Sequence, residues 1–527
     1  MRTRPNAFSD RAVVSSSSIF SSLAGARVLE RGGNVFDAAI ATSSVLCVTQ
    51  NNLCGLGGDM FALLRDSNGN IVDLNGSGRA FSALTPQFFT DRGMNEIPKR
   101  GEYSALTVPG IVMAWDDIHR KYCSMDIREL LKPAYLLARD GFPVTQNYRD
   151  SIEISGKFLG QYEGWRSQFM PDGHPPEAGA VFKQKYLAET FLHLMEDGLP
   201  SFYDGYLADR IIEGLKNTDV ALSGTDLRKH SSTVTKPCSA EIEGFRIYET
   251  SPNSQGVTAL LWLNLLAESG YDFAGEYLSQ MGTILETGLI AYDQRDRYIT
   301  DPDYVKLPEG FLSRDFAKQL INGVREEGAA GGKKYGQSDT TYFTITSSSG
   351  DSVSIIQSNY MGFGSGIMPD RTGFVLQNRG CYFSLDENHH NCIAPGKRTF
   401  HTLCAGMMEN DGVHYASFGT MGGDIQPQVH IQMILRLIGD NSDPQHILDF
   451  PRWAFPYTIY EKPSQVICES DTVKENIDRS FRKLKVSNVG FSSQFGHAQI
   501  TASLKNGTVA GGSDHRGDGI SIPASAF

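Results

Sequence analysis

The stretch GQSDTTYFTIT, residues 336 to 346, holds an abrupt change of character. Upstream of it lies EEGAAGGKKYGQSD (326 to 339), rich in glycine and charge with hardly any apolar residue, which reads as a loop or linker. From Thr340 onward, Phe343 and Ile345 alternate with threonines, as the buried face of a strand requires. The polar turn SSSGD and a second run, SVSIIQSN, with Val353 and Ile355 in period two, complete a hairpin. A hydroxyl therefore stands at the first residue of a strand. Threonine begins many strands because it is β-branched, so this position is either an ordinary strand start or a place where the chain is cut.

The chemical case for a cut is specific. A threonine hydroxyl needs a base beside it to become a nucleophile, and the most economical base is its own α-amino group. A free α-amine ordinarily titrates at about 7.7 to 8, which leaves a useful neutral fraction near physiological pH. An internal residue has no such amine, so the chain would have to break between Asp339 and Thr340. The Thr340 hydroxyl would attack the Asp339 carbonyl, and the resulting ester would hydrolyse. Alone the seam is a weak signal. A second feature strengthens it: in SFGTMGGDIQ (417 to 426), Gly422 and Gly423 lie between a strand and a helix. Two unhindered N–H groups at a helix N-terminus suit an oxyanion hole, although a tight turn would use the same residues.

The chain of 527 residues, 40% hydrophobic and 20% charged, is an ordinary globular sequence with ample core. A net charge of −12 offers no basic field for phosphates, which argues against nucleic-acid and anionic-membrane roles. The N-terminus has no apolar run of signal-peptide length, and VTALLWLNLLA (257 to 267) is too short for a membrane span and broken by Asn264. The expectation is a cytoplasmic protein. Eight cysteines without CxxC pairing suggest buried thiols in a reducing compartment, neither a disulfide scaffold nor a zinc site. GARVLERGGNVFDAAIATSSVL reads as two helices around a Gly-Gly break, followed by the turn CGLGGD and the strand MFALL. Because those glycines come after a helix and before a strand, they read as a tight turn rather than a phosphate loop. From about 126 to 330 the pattern is mainly helical. HYASFG reads as a strand leading into a helix with Ile431, Ile434, Leu435 and Ile438 on one face and Gly439 at its end. The whole reads as one β-rich α+β domain whose sheets draw on both sides of the linker.

A family resemblance runs along the chain. RVLERGGNVFDAA, CGLGGDMFALL, ALTVPGIVMAW, KPAYLLARDGF, SPNSQG, DPDYVKLP, TTYFTIT, NYMGFGSGI, PGKR and MGGD occur in one order over nearly its whole length. That order resembles the γ-glutamyltransferase family of N-terminal-nucleophile (Ntn) hydrolases. The resemblance implies an αββα four-layer sandwich and a precursor cleaved before the first threonine of the pair. It gives a large chain of residues 1 to 339 and a small chain of 340 to 527 that stay associated, and it leaves room for a homodimer of that pair. It makes Thr340 nucleophile and base, places the family's second hydroxyl on Ser358 and the oxyanion glycines on Gly422 and Gly423, and requires no metal and no cofactor. Thr341 would add a hydroxyl beside the nucleophile.

Departures from the family fall on the substrate reader. The family arginine for the γ-glutamyl carboxylate falls on Asn75, the serine pair beside it on His401 and Thr402, and the acid for the ammonium group on Tyr382. A further asparagine falls on Tyr360, with Asn359 adjacent. Arg79 and Arg379 are candidates to pair a carboxylate, or else structural ion pairs. The pair His389 and His390 shows no third ligand at metal spacing and reads as a solvated loop. The expected activity is a self-processing amidohydrolase or transferase acting on a γ-glutamyl or related small acidic amide. The alternatives are an amidase or acylase of the same family that does not act on γ-glutamyl groups, including oxamate-like amides, and an unprocessed relative without catalysis.

Overall fold

A computed structural model of the chain describes residues 3–323, 338–439, 443–456 and 463–525, with the side chains of Ser338 and Asp339 excepted. Most of the linker expected at 326 to 339 lies outside the described residues.

Two seven-stranded antiparallel sheets form the centre. In the first, the order is Ile520–Ala524, Ala12–Ser16, Ser338–Ser347, Ser352–Met361, Asp59–Arg65, Ile71–Gly76 and Thr233–Thr235. In the second, it is Ala7–Ser9, Val509–Ser513, Ala498–Ser503, Val413–Thr420, Gly406–Asn410, Phe245–Glu249 and Cys238–Ile242. Each sheet thus combines strands from before and after residue 339. The expected hairpin is present, with Phe343 opposite Ile355 and Ile345 opposite Val353.

Helices cover the outer face of each sheet. Ile19–Glu30, Val35–Thr49, Ile127–Asp140 and Lys185–Asp197 share one core with Val14, Leu64, Phe343, Ile345, Val353 and Ile355. Val257–Glu268, Met281–Tyr298 and Gln426–Gly439 share another with Ile247, Met408, Ala416, Phe418 and Ile500. The result is helix, sheet, sheet, helix, the four layers that bury one face of every element. The Gly-Gly break between the first two helices ends in a capping box, Asn34 accepting from Asp37 N while Asp37 accepts from Asn34 N. Asn264, the polar residue inside the apolar run, donates to the Leu312 carbonyl at 2.8 Å. None of the described helices is long and apolar enough to cross a membrane.

Between the sheets the packing is close and partly polar. Phe61, Tyr342, Ile356, Leu403 and Ala405 form a small apolar cluster there. Beside it, Thr344 and Thr346 bond Thr501 at 2.8 and 2.7 Å, and Ser352 bonds Ser417 at 2.8 Å. Small hydroxylated residues let the backbones approach while satisfying their own polar groups. The region from 126 to 330 is less helical than its sequence suggests, because Thr233–Thr235, Cys238–Ile242 and Phe245–Glu249 are strands. The last two form a hairpin through Glu243 and Gly244, at φ 49° and 79°, the left-handed pair of a two-residue turn. Ala240, Ile242 and Ile247 carry its buried face, a pattern too short to stand out among helices.

Candidate active site

The nucleophile candidate sits at an irregularity of the sheet. Asp339 pairs with Tyr360 and Thr341 with Gln357, so Thr340 alone faces the two residues Ser358 and Asn359. Such a bulge twists the strand locally and re-aims a side chain. Thr340 Oγ1 donates to Ser358 Oγ at 3.2 Å, and Ser358 Oγ accepts the Tyr360 N–H at 2.7 Å. Both hydroxyls are buried. Thr341 Oγ1 donates to the Gln357 carbonyl at 3.4 Å.

The glycine pair lies where the strand Val413–Thr420 gives way to the helix Gln426–Gly439. Gly422 and Gly423 have φ of 129° and 59°, a conformation that a side chain would strain. Their turn packs against the strand that carries Thr340. The Gly423 carbonyl accepts from Gln255 Nε2 at 2.8 Å, and the same amide nitrogen donates to the Thr402 carbonyl at 2.7 Å. Gln255 therefore ties the oxyanion candidate to the substrate-reader candidates.

Those readers separate into two groups. Arg379, Tyr382, His401 and Thr402 converge. The buried Arg379 guanidinium donates from Nη1 to Thr402 Oγ1 at 2.9 Å, and its Cζ lies 4.2 Å from the centre of the Tyr360 ring and 5.3 Å from that of Tyr382. Its Nε and Nη2 have no hydrogen-bond partner among the described residues. Tyr382 donates to Asp424 Oδ2 at 2.7 Å, while Asp424 Oδ1 accepts from Arg295 Nη1 at 3.0 Å. The other group is engaged elsewhere. Asn75 bonds Asn253 and Ser77. Arg79 pairs with Asp301 and Asp303 and donates to the Gly396 carbonyl, so its charge is already compensated. The Asn359 amide lies against Gly55 and Gly58 of the CGLGGD turn, with its Nδ2 3.5 Å from the Asn51 carbonyl.

One participant had no sequence signal beyond that turn. Asp59, opposite Ser358 in the sheet, accepts from Gly78 N at 2.9 Å and Gln377 Nε2 at 2.8 Å through Oδ1. Its Oδ2 lies 3.1 Å from His401 Nε2. Leu403 N–H donates to His401 Nδ1 at 3.3 Å, so the ring proton sits on Nε2 and points at Asp59. Burial pushes the Asp59 carboxyl up to about 7, against the lowering pull of Gln377, Gly78, Arg379 and Arg398. Burial, with Arg379 nearby, pushes His401 well below its usual value, so the imidazole is neutral. Gln255 and Asp424 stand in the stretches SPNSQG and MGGD without a role that the sequence assigns, and Arg295 in neither, since Gln255 meets Thr402 and Gly423, and Arg295 meets Asp424, across long separations of chain.

Two other clusters lie apart from the nucleophile. His389 and His390 stack with centroids 4.5 Å apart in a half-buried loop. Glu249, Cys404 and His430 bring three donor atoms within 4.8 Å of one another, wholly buried. There His430 Nδ1 lies 2.6 Å from Glu249 Oε1 and Nε2 3.9 Å from Cys404 Sγ. The imidazole stands between thiol and carboxylate, which is a hydrogen-bonded chain rather than three ligands turned to one point. The eight cysteines are free.

Comparison with known proteins agrees with this fold. The sequence profile of the gamma-glutamyltranspeptidase family matches residues 21–524. The chain is 36% identical to the glutathione hydrolase-like YwrD proenzyme of Bacillus subtilis, over 95% of this chain and 96% of that one. It is 32% identical to the oxamate amidohydrolase proenzyme of Klebsiella pneumoniae, over 93% and 94%. Among solved structures, a cephalosporin acylase from Bacillus halodurans superposes with a TM-score of 0.93 at 32% identity, covering 100% of this chain and 98% of that one.

Proposed function

The chain belongs to the gamma-glutamyltranspeptidase family of Ntn hydrolases, and on that premise we propose that it is a self-processing amidohydrolase of small acidic amides with Thr340 as its nucleophile. The observation that carries this reading is the bulge that isolates Thr340, with its hydroxyl bonded to Ser358 and the Gly422–Gly423 turn packed against the same strand. The first substrate is the chain itself. Thr340 Oγ adds to the Asp339 carbonyl, the C–N bond breaks as the Thr340 nitrogen takes up a proton, and water hydrolyses the ester to free a new α-amine.

In the mature enzyme that amine accepts the Thr340 hydroxyl proton as Oγ adds to the substrate carbonyl. The oxyanion is met by the N–H groups of Gly422 and Gly423. Collapse breaks the substrate C–N bond, the leaving amine takes the proton back, and water releases the acid from the acyl-threonine. Oxamate, the substrate named for one relative, is an amide whose acyl part carries a carboxylate. γ-Glutamyl turnover is expected to be weak, because Asp424, the acid beside the glycines, is already taken up by Tyr382 and Arg295.

Denaturing electrophoresis tests the reading. Wild type resolves into chains of residues 1–339 and 340–527, and Thr340→Ala stays whole. A wild-type protein that remains a single band after prolonged incubation, or an uncut bond in wild type alongside amidase activity, sinks the proposal.

A further inference from the structure

Arg379 is a buried cation of the site whose hydrogen bonding is visibly incomplete. A guanidinium carries five donor N–H bonds in a planar fork. Here it is buried, makes one bond to a neutral hydroxyl, and leaves Nε and Nη2 without a partner among the described residues. No carboxylate lies within ion-pair distance of it among those residues. Burying a cation without a paired anion is strongly unfavourable, and protein folds retain such a group where a ligand supplies the missing charge. By contrast, Arg79 and Arg295 each hold a carboxylate.

Its surroundings place that ligand. The Tyr360 ring lies 4.2 Å from the guanidinium, and the Tyr360 N–H bonds the Ser358 hydroxyl that holds Thr340. Thr402, the hydrogen-bond partner of Arg379 among the described residues, shares Gln255 with the Gly423 carbonyl through its own carbonyl. The fork is thus one residue, Tyr360, from the nucleophile support and two, Thr402 and Gln255, from the oxyanion turn. In the uncut chain, Ser338 and Asp339 are paired with Met361 and Tyr360, so the strand leading to the scissile bond lies along the residue that roofs Arg379. Cutting frees that segment to leave.

We propose that, once the chain is cut, Arg379 receives the carboxylate of the substrate's acyl group through Nε and Nη2, and that the acyl group has no α-amine. This rests on the amidohydrolase reading above and names the substrate class: amides of short dicarboxylic acids, 2-oxo dicarboxylic acids included. The second half follows from Asp424. An ammonium group needs an acceptor on the acyl side of the nucleophile, and both Asp424 oxygens already accept, one from the Tyr382 hydroxyl and one from Arg295. Asp59, the other nearby acid, is held by Gly78, Gln377 and His401.

The test uses purified, self-cleaved protein, with cleavage read first on a denaturing gel. Glutarate and oxamate are titrated calorimetrically into wild type, Arg379→Gln and Arg379→Lys, and hydrolysis of glutaryl, γ-glutamyl and butyryl p-nitroanilides is compared. At least one of the two acids binds wild type. That affinity falls about 10- to 150-fold in Arg379→Gln, as loss of a charge-assisted pair of roughly 1.5 to 3 kcal/mol requires. It falls less in Arg379→Lys, which keeps the charge without the fork. Wild type prefers the glutaryl substrate to both others, and that preference collapses in Arg379→Gln. A cut protein that binds neither acid, or whose variants bind as wild type does, overturns the inference and leaves the amidohydrolase reading standing. Preference for the γ-glutamyl substrate overturns the des-amino half. An uncut wild type overturns both, and Arg379→Lys decides the matter should Arg379→Gln fail to fold and cut.

Discussion

At the scale of single residues, the site separates what proximity in sequence can reveal from what it cannot. Thr340, Gly422 and Gly423 stand out in the sequence because each sits in a local context that demands a reason, a strand start after a glycine-rich stretch and a glycine pair before a helix, whereas Ser358 enters through the family resemblance alone; the structure brings its hydroxyl to that of Thr340. Asp59 was not, because its meaning lies in Gly78, Gln377 and His401, three segments that only the fold brings together. Its charge has a measurable signature. The folded carboxyl is raised to about 7 from an unfolded value of about 3.9, so the fold holds the proton more tightly than the unfolded chain does. The stability from that preference is full below about pH 4 and is lost as pH rises to about 7. In urea unfolding from about pH 4 to 8, wild type therefore loses ground to Asp59→Asn by about 1.4 kcal/mol per pH unit up to about pH 7, with no further change above. A difference that does not vary with pH would show that Asp59 carries no such buried charge.

At the scale of elements, the hairpin 338 to 361 and the two helices around Gly32–Gly33 follow from periodicity and turn chemistry alone. The strands between 233 and 249 did not declare themselves, because two of the three are five residues long and the third only three. Sheet-to-sheet contact was also beyond the sequence, although it fixes where the nucleophile strand lies. Gly419 illustrates it: a Cβ there would stand 2.4 Å from the Tyr342 ring on the facing sheet. Tyr342 is two residues from Thr340, so overpacking at this point displaces the strand that carries the site. Gly419→Ala is expected to cost roughly 1 to 3 kcal/mol and to slow self-cleavage. An unchanged melting temperature with normal cutting would mean that the sheets tolerate a wider spacing than their packing suggests.

At the scale of the molecule, α+β class and the pooling of strands across the linker were readable, since polar seams and strand runs lie on both sides of it. The order of strands was not, because pairing partners such as Ala12–Ser16 and Ser338–Ser347 stand far apart in the sequence. That interleaving sets a further expectation. Residues 1–339 and 340–527, produced as separate chains and mixed, should give no active enzyme, because each alone lacks interior strands of both sheets and exposes the unpaired edges that promote aggregation. Recovery of activity on mixing would show that the sheets assemble by docking of preformed halves.

The shared sheets also bear on when the enzyme can come into existence. Under the proposed mechanism the cut needs the strand of Thr340 packed against the glycine turn, a contact between two sheets that each draw strands from both ends of the chain. A misfolded or half-folded molecule cannot make the cut, and so never acquires the amine that the chemistry needs. Under the proposed mechanism, activity is a certificate of correct folding that each molecule issues to itself.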